Sequence, residues 1–166
     1  MQSPLNFKEM GSGQPLIILH GLFGSARNWR RIGDTLKSHW RVVLPDLPNH
    51  GNSPWSDDMS YPAQAEALKN FILRHDLANP VIVGHSMGGK VAMALALSGQ
   101  CLINRLVIVD IAPVSYQHSH FELIQAMRTL PLAQISTRHD ADQLLAPAIP
   151  TSDLRQFLLQ NLIIEN

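Results

Sequence analysis

A serine flanked by glycines, between a strand-like and a helix-like segment, constrains the fold of this chain most strongly. The segment Gly84–Gly88 reads GHSMG, with Ser86 at its centre. Val81–Val83 before it is short, β-branched and apolar, as expected for a buried strand. Lys90–Leu97 after it is rich in Ala and Leu, which favours a helix packed on a sheet. Only very small residues fit beside the serine in so tight a turn, and the strain lifts its hydroxyl clear of the sheet.

Ser86 is therefore a candidate nucleophile. The backbone N–H of Met87 lies at the start of the predicted helix, where it can stabilise negative charge that develops over the serine. The pentapeptide alone is a weak pattern, and the strand before it and the helix after it make it specific. The alternative interpretation is a glycine-rich turn with a solvated serine.

Strand-like and helix-like segments alternate along the first two thirds of the chain. The predicted strands lie within 14–19, 40–44, 81–83 and 106–109, and the predicted helices span about 26–37, 62–75 and 90–97. Ser25 and Ser60 are candidate N-caps, and Trp29, Ile32 and Leu36 follow helical spacing. This alternation predicts an α/β fold with a mostly parallel, doubly wound sheet.

Beyond residue 113 the strand signal ends. The segments 121–130, 137–145 and 152–162 are predicted as short helices, because prolines interrupt the pattern between them. We therefore predict an α/β core over residues 1–113, followed by a helical cap segment over residues 114–166.

Composition narrows the class of protein further. Thirteen basic and thirteen acidic residues cancel, so no charge bias points to nucleic acid or to an anionic membrane as partner. Cys101 is the single cysteine and is predicted to be a buried thiol, and no disulfide framework is possible. The first residues do not resemble a signal peptide, and no apolar run approaches about 18 residues. A reducing cytoplasm is the expected location, and the oligomeric state is left open.

Three motifs, together with the segment around Ser86, resemble the α/β-hydrolase superfamily. They are HGLFG at 20–24, DLPNHGNS at 46–53 and VDIAP at 109–113, in the family's order and at ordinary spacing. Within the superfamily they resemble the YbfF-type bacterial esterases and their mitochondrial relatives. One departure is Pro48, where that group usually has arginine, so any contact made by that arginine is lost.

The resemblance implies a role for each matching residue. Ser86 is expected to attack an acyl carbonyl, and the oxyanion is expected to bind the backbone N–H groups of Met87 and Leu22, with Phe23 as the alternate. Asp110, at the carboxyl end of its strand, is the candidate acid of a catalytic triad. The alternative for Asp110 is a cap of the loop or helix that follows.

Six further residues, three of them histidines, receive supporting roles. His20 opens the glycine loop and is expected to shape it beside the pocket, with the catalytic base as its alternative role, and His85 is expected to line or support the pocket. Phe23 is also expected to line the pocket. Asp46, His50 and Ser53 are interpreted as loop architecture.

The catalytic base is missing from this pattern. Only His118, His120 and His139 follow Asp110, and none of them comes after a strand. A complete sheet of this kind needs about 200–250 residues, so we expect the base beyond Asn166 and little activity from this chain alone. A second subunit that supplies the base is the alternative. A metal site at His118 and His120 is weakly indicated, since no third ligand accompanies them.

The leading hypothesis is a serine hydrolase of carboxylic esters or thioesters that works through an acyl-enzyme. Apolar side chains of the predicted cap are expected to favour apolar acyl groups, and no cofactor or metal is implied. One alternative is a carbon–carbon bond hydrolase or lyase of the same fold. Another is a hydrolase-fold binding protein without catalysis.

Overall fold

A five-stranded sheet lies at the centre of the amino-terminal part of the chain. In this computed structural model, residues 4–117 and 119–164 are described. The strands are β1 (Phe7–Met10), β2 (Pro15–Leu19), β3 (Arg41–Pro45), β4 (Val81–His85) and β5 (Arg105–Val109). Their order is β1-β3-β2-β4-β5; β1 pairs antiparallel with β3, and the other three pairs are parallel. The predicted α/β class with a mostly parallel sheet is confirmed.

Six α-helices accompany the sheet in the described part of the chain. They are α1 (Ala26–Leu36), α2 (Tyr61–Arg74), α3 (Met87–Ser98), α4 (Phe121–Arg128), α5 (Arg138–Leu145) and α6 (Ser152–Leu158). The chain divides into two compact units, Met1–Pro113 and Val114–Asn166. The first holds the sheet and α1–α3, and the second holds α4–α6; the cap role of the second unit stays a prediction.

The sheet buries apolar side chains on both faces, which explains its continuous apolar strands. On one face Ile17 and Ile82 join a core with Leu68 of α2 and Val91 of α3. The opposite face forms a second core that includes Ile18. Such two-sided burial fixes the strands, and with them the loops at their carboxyl ends.

The helix starts follow the sequence signals. The Ser60 hydroxyl accepts a hydrogen bond from the Ala63 N–H (3.3 Å), so its predicted N-cap role is confirmed. Ser25 precedes α1 as its N-cap, and its N–H donates to the Asn28 side chain (2.7 Å). Both caps satisfy N–H groups that have no partner within a helix.

Three local features go beyond the sequence predictions. The strand β1 was not predicted, because four residues at a sheet edge carry little periodic signal. The helix after the serine begins at Met87, where its start was expected, and thus extends beyond the Ala- and Leu-rich segment 90–97. Ile32, which follows helical spacing with Trp29 and Leu36, is 46 % exposed, whereas Gly33 is buried. A Cβ atom on Gly33 would lie 3.0 Å from the Met10 sulfur, so only a small residue lets the helix approach here.

Four hydrogen bonds from the side chain of Arg155 connect segments of the second unit. The Arg155 guanidinium donates to the Asp142 carboxylate (2.8 Å) and to the carbonyls of Ile149 and Pro150 (2.9 Å each). Arg155 holds the pKa of Asp142 below its usual range. The sixth helix ends at Leu158 and continues as a short 3₁₀ turn, so the predicted single helix over 152–162 is shorter than expected.

Membrane-spanning segments were searched among the described residues. In 4–117 and 119–164, no helix combines the length and apolar character needed to cross a bilayer.

Candidate active site

Ser86 occupies a strained backbone conformation between β4 and α3. Its φ is 50° and its ψ is −117°, a combination that costs energy for any residue with a side chain. Its N–H donates to the Val109 carbonyl (3.0 Å), and its own carbonyl accepts from Gly89 (2.9 Å). The turn is therefore held on both sides by backbone hydrogen bonds. Strain that is maintained in this way is common at functional sites.

The glycines on either side of Ser86 are required by close packing. A Cβ atom on Gly84 would lie 2.6 Å from the Gly88 carbonyl oxygen. A Cβ atom on Gly88 would lie 2.6 Å from the His20 carbonyl oxygen and 2.7 Å from the Leu19 Cβ. These are shorter than van der Waals contact, so the sequence argument for very small residues agrees with the geometry.

The glycine loop at 20–24 lies directly beside the serine. A Cβ atom on Gly21 would be 3.3 Å from the Ser86 Cβ and 3.0 Å from His85 Nδ1. The loop turns through a hydrogen bond from the Gly24 N–H to the Gly21 carbonyl (3.0 Å). Leu22 and Phe23 lie within this turn, and Phe23 has a positive φ of 63°.

Met87 is the first residue of α3, directly after the serine. It is buried (8 % exposed), and its N–H has no partner within the helix, as for every first helical residue. The structure thus brings together the serine, the start of a helix and the glycine loop. These are the elements from which an oxyanion site is built.

His20 is a buried link between two loops. It is 1 % exposed; its Nε2 accepts from the Leu47 N–H (3.0 Å), so its Nδ1 carries the proton that is donated to the Gly21 carbonyl (2.8 Å). Burial lowers the pKa of His20 to about 4. Both ring nitrogens are occupied, so His20 supports the glycine loop rather than presenting a base to substrate.

Asp46 organises the loop that follows β3. Its carboxylate accepts from the N–H of Ala26 (2.7 Å), the N–H of Asn52 (3.0 Å) and the Asn6 side chain (2.7 Å). The Ser53 hydroxyl donates to the Asp46 carbonyl (2.6 Å). Asp46 therefore ties the start of α1 to this loop, as the sequence interpretation of Asp46 and Ser53 expected.

His50 joins the same framework. Its Nδ1 lies 2.9 Å from the Pro48 carbonyl, and its ring centroid lies 5.0 Å from that of His20. Burial lowers the pKa of His50. The rings of His20 and His50 thus pack together between the glycine loop and the loop that follows β3.

Asp110 directly follows β5, at the same edge of the sheet as Ser86. Its backbone has a positive φ of 56°, and its side chain is 85 % exposed. The parallel register pairs His85 with Val109, so the residues after them, Ser86 and Asp110, lie on neighbouring strand ends. The structure therefore brings the candidate nucleophile and the candidate acid to one edge.

His85 contacts three parts of the site: Asp110, Gly21 and Trp29. Its Nε2 lies 3.8 Å from an Asp110 carboxylate oxygen, and its Nδ1 faces Gly21. Its ring also meets Trp29 edge-on, with centroids 6.1 Å apart. Sequence reasoning missed Trp29 as a neighbour of the site, although its place in the first turn after the glycine loop was an available signal.

The remaining histidines supply no base within the amino-terminal unit. Among residues 4–113, no histidine ring is hydrogen bonded to the Ser86 hydroxyl. His139 lies exposed on α5, His120 precedes α4, and His118 is outside the described residues. Within 4–117 and 119–164, no three His, Cys, Asp or Glu side chains cluster as metal ligands.

Comparison with known proteins identifies the family. The model of the alpha/beta hydrolase fold family matches residues 14–156. The sn-1-specific diacylglycerol lipase ABHD11 of Xenopus laevis is 40 % identical over 162 residues, which are 93 % of this chain and 52 % of the lipase. Esterase YbfF of Escherichia coli K12 is 33 % identical over 153 residues, 92 % of this chain and 60 % of the esterase.

A solved structure shows the same architecture. The chain matches a marine microorganism esterase with a TM-score of 0.93 and 40 % identity, over 98 % of this chain and 65 % of that one. The chain thus spans between half and two thirds of the length of each of these three proteins. The chain belongs to the α/β-hydrolase fold family, and its predicted resemblance to the YbfF-type esterases is confirmed.

Proposed function

We propose that this chain carries the nucleophile of a serine hydrolase that cleaves carboxylic esters or thioesters through an acyl-enzyme on Ser86. The single observation that supports this most is the strained turn at Ser86, with Gly21 of the glycine loop so close that a Cβ atom added to it would lie 3.3 Å from the Ser86 Cβ. The esterase and lipase names of the relatives support the same reaction class.

Stabilisation of the oxyanion is the first step that the geometry supports. When the Ser86 oxygen adds to the acyl carbonyl, the carbonyl oxygen becomes negative and needs two donors. We assign these to the Met87 N–H and to the Leu22 N–H, with Phe23 as the alternate. Loss of one such donor typically costs about 2.7–4 kcal/mol of transition-state stabilisation.

Proton transfer needs an acid–base pair beside the serine. We assign Asp110 as the carboxylate that orients the base and stabilises its protonated form. Its exposed position at the strand end leaves room for an imidazole to approach. The base itself is proposed to come from outside residues 4–113, because His20 is occupied and His85 lies against Asp110.

The substrate class follows from the surroundings of the serine. Leu22 and Phe23 belong to the glycine loop that approaches the serine, and Trp29 contacts His85 next to it, so a small-molecule ester or thioester with an apolar acyl group is the expected substrate. We further propose a reducing compartment such as the cytoplasm, since the chain has a single cysteine.

Covalent labelling of the serine tests this proposal on the chain itself. Added imidazole should act as the base that residues 4–113 do not supply and raise the rate of labelling by a fluorophosphonate about tenfold, because it can take the serine proton. Mass spectrometry should locate the label on Ser86, and Ser86→Ala should remove it. A matched control, Ser98→Ala on the same helix, should label like the wild type.

Two results would count against the proposal. A slow labelling rate that does not rise when imidazole is added would mean that Ser86 cannot be activated as a nucleophile. A label that persists in Ser86→Ala would place the reactive group elsewhere. In either case a non-catalytic binding protein of this fold becomes the better account.

A further inference from the structure

The exposed face of α1 concentrates positive charge. Arg27, Arg30 and Arg31 are all exposed, and Lys37 follows at the end of the helix. These are four of the chain's thirteen basic residues, whereas Asp34 is the one acidic residue in the same stretch. The net charge of zero for the whole chain conceals this local excess.

The one carboxylate of the helix already interacts with Lys37 and Arg30. Asp34 accepts a hydrogen bond from Lys37 at 2.9 Å, and its other oxygen lies 4.0 Å from Arg30. In the described part of the chain, neither Arg27 nor Arg31 lies within ion-pair distance of a carboxylate. Two guanidinium groups on the outer side of the helix therefore face solvent without an internal counter-charge.

These arginines do not stabilise the helix that carries them. Arg27 and Arg31 are four residues apart, and like charges at this spacing cost about 0.2–0.5 kcal/mol. Arg27 also lies in the first turn, where the helix dipole disfavours cations, and that turn has no acidic residue. Because these arginines destabilise the helix, their presence indicates a function other than stabilising the fold.

The position of α1 relates this charge to the proposed active edge. The helix starts directly after the glycine loop, and its Trp29 contacts His85 beside Ser86. The surface thus carries three arginines, two of them without an ion-pair partner among the described residues, near the edge where substrate is expected.

We propose that this face, formed by Arg27, Arg30 and Arg31, docks on an anionic lipid bilayer surface. The exposed side of a helix is convex, so the guanidinium groups diverge and suit an extended array of phosphates better than one small anion. Basic residues at such a surface contribute additively through attraction to the lipid headgroups. The docking goes beyond the proposed catalysis and places its active edge close to lipid.

Co-sedimentation with vesicles tests the docking on this chain. We expect binding to phosphatidylcholine–phosphatidylglycerol vesicles at low salt, weak binding to phosphatidylcholine alone, and loss of binding as salt is raised. The triple variant Arg27→Gln, Arg30→Gln, Arg31→Gln should bind the anionic vesicles about a hundredfold more weakly. The control triple variant Arg74→Gln, Arg105→Gln, Arg128→Gln removes the same charge from exposed positions elsewhere and should bind like the wild type.

Three outcomes would overturn the docking. They are equal binding to both kinds of vesicle, equal loss in both triple variants, and binding to poly-L-glutamate without binding to vesicles, which would point to an acidic protein. Circular dichroism of each variant checks that the fold is kept. Ser86→Ala should bind vesicles normally, so failure of the docking and failure of the proposed catalysis are separate results.

Discussion

Gly88→Ala is expected to lower the free energy of unfolding by about 3 kcal/mol, the upper range for overpacking in a close-packed interior. A Cβ atom at this position would lie 2.6 Å from the His20 carbonyl oxygen and 2.7 Å from the Leu19 Cβ. Both neighbours belong to the end of β2 and the start of the glycine loop, so neither can move without disturbing the sheet or the site. Relief of the contact must therefore displace α3 or the loop.

Whether Gly88→Ala lowers or raises the free energy of unfolding shows whether packing or helix propensity dominates at this position. Gly88 lies within α3, and helix propensity alone favours alanine over glycine by about 1 kcal/mol. A purely local account thus predicts that the substitution stabilises the protein. The contacts predict the opposite.

Gly99→Ala is the matched control. Gly99 ends the same helix with a φ of +65°, and nothing lies within 4 Å of an added Cβ. Its cost should be about 1 kcal/mol, from the left-handed backbone alone. Urea unfolding followed by circular dichroism measures both variants, and a Gly88→Ala protein as stable as the wild type would contradict the tight packing of the turn.

The strand–turn–helix around Ser86 was predictable because its signals are local. Two glycines, a β-branched strand and an Ala-rich helix all lie within about twenty residues of one another. The glycine motif at 20–24 could also be identified from the sequence, and in the structure its Gly21 lies close to Ser86. The proximity of these two motifs could therefore be predicted from the sequence alone.

Other features depend on contacts between segments that are distant in the chain. Such contacts cannot be predicted from one sequence alone. The four-residue β1 exists because β3 offers it an edge, and Ile32 is exposed because Gly33 lets α1 approach Met10. The proximity of His85 to Asp110 depends on the register of β4 and β5. The net charge of the whole chain does not describe how charge is distributed, since it averages over the arginines of α1.

Acid is expected to weaken the fold through His20. The pKa of His20 is lowered from 6.5 to about 4, chiefly because burial disfavours the charged ring. Between these values the unfolded chain binds a proton that the folded chain does not. The contribution of neutral His20 is therefore present above pH 6.5 and is lost as pH falls to about 4, a change of about 3 kcal/mol.

His50 should act in the same direction. Its pKa is also lowered by burial, and its ring packs against His20. Protonation of either ring places a charge beneath the glycine loop, and on His20 it also removes the acceptor of the Leu47 N–H. The loop beside Ser86 is thus the first part of the molecule expected to open in acid.

Urea unfolding at a series of pH values between 7 and 4 measures this linkage. His20→Gln should be less stable than the wild type at pH 7, because an amide replaces the ring's two hydrogen bonds imperfectly, but its stability should fall less steeply with acid. His39→Gln, which alters an exposed histidine, should keep the wild-type slope. If His20→Gln and the wild type lost stability in parallel from pH 6.5 to 4, the buried neutral ring could not be the source of the acid sensitivity, and the supporting role of His20 would have to be rejected.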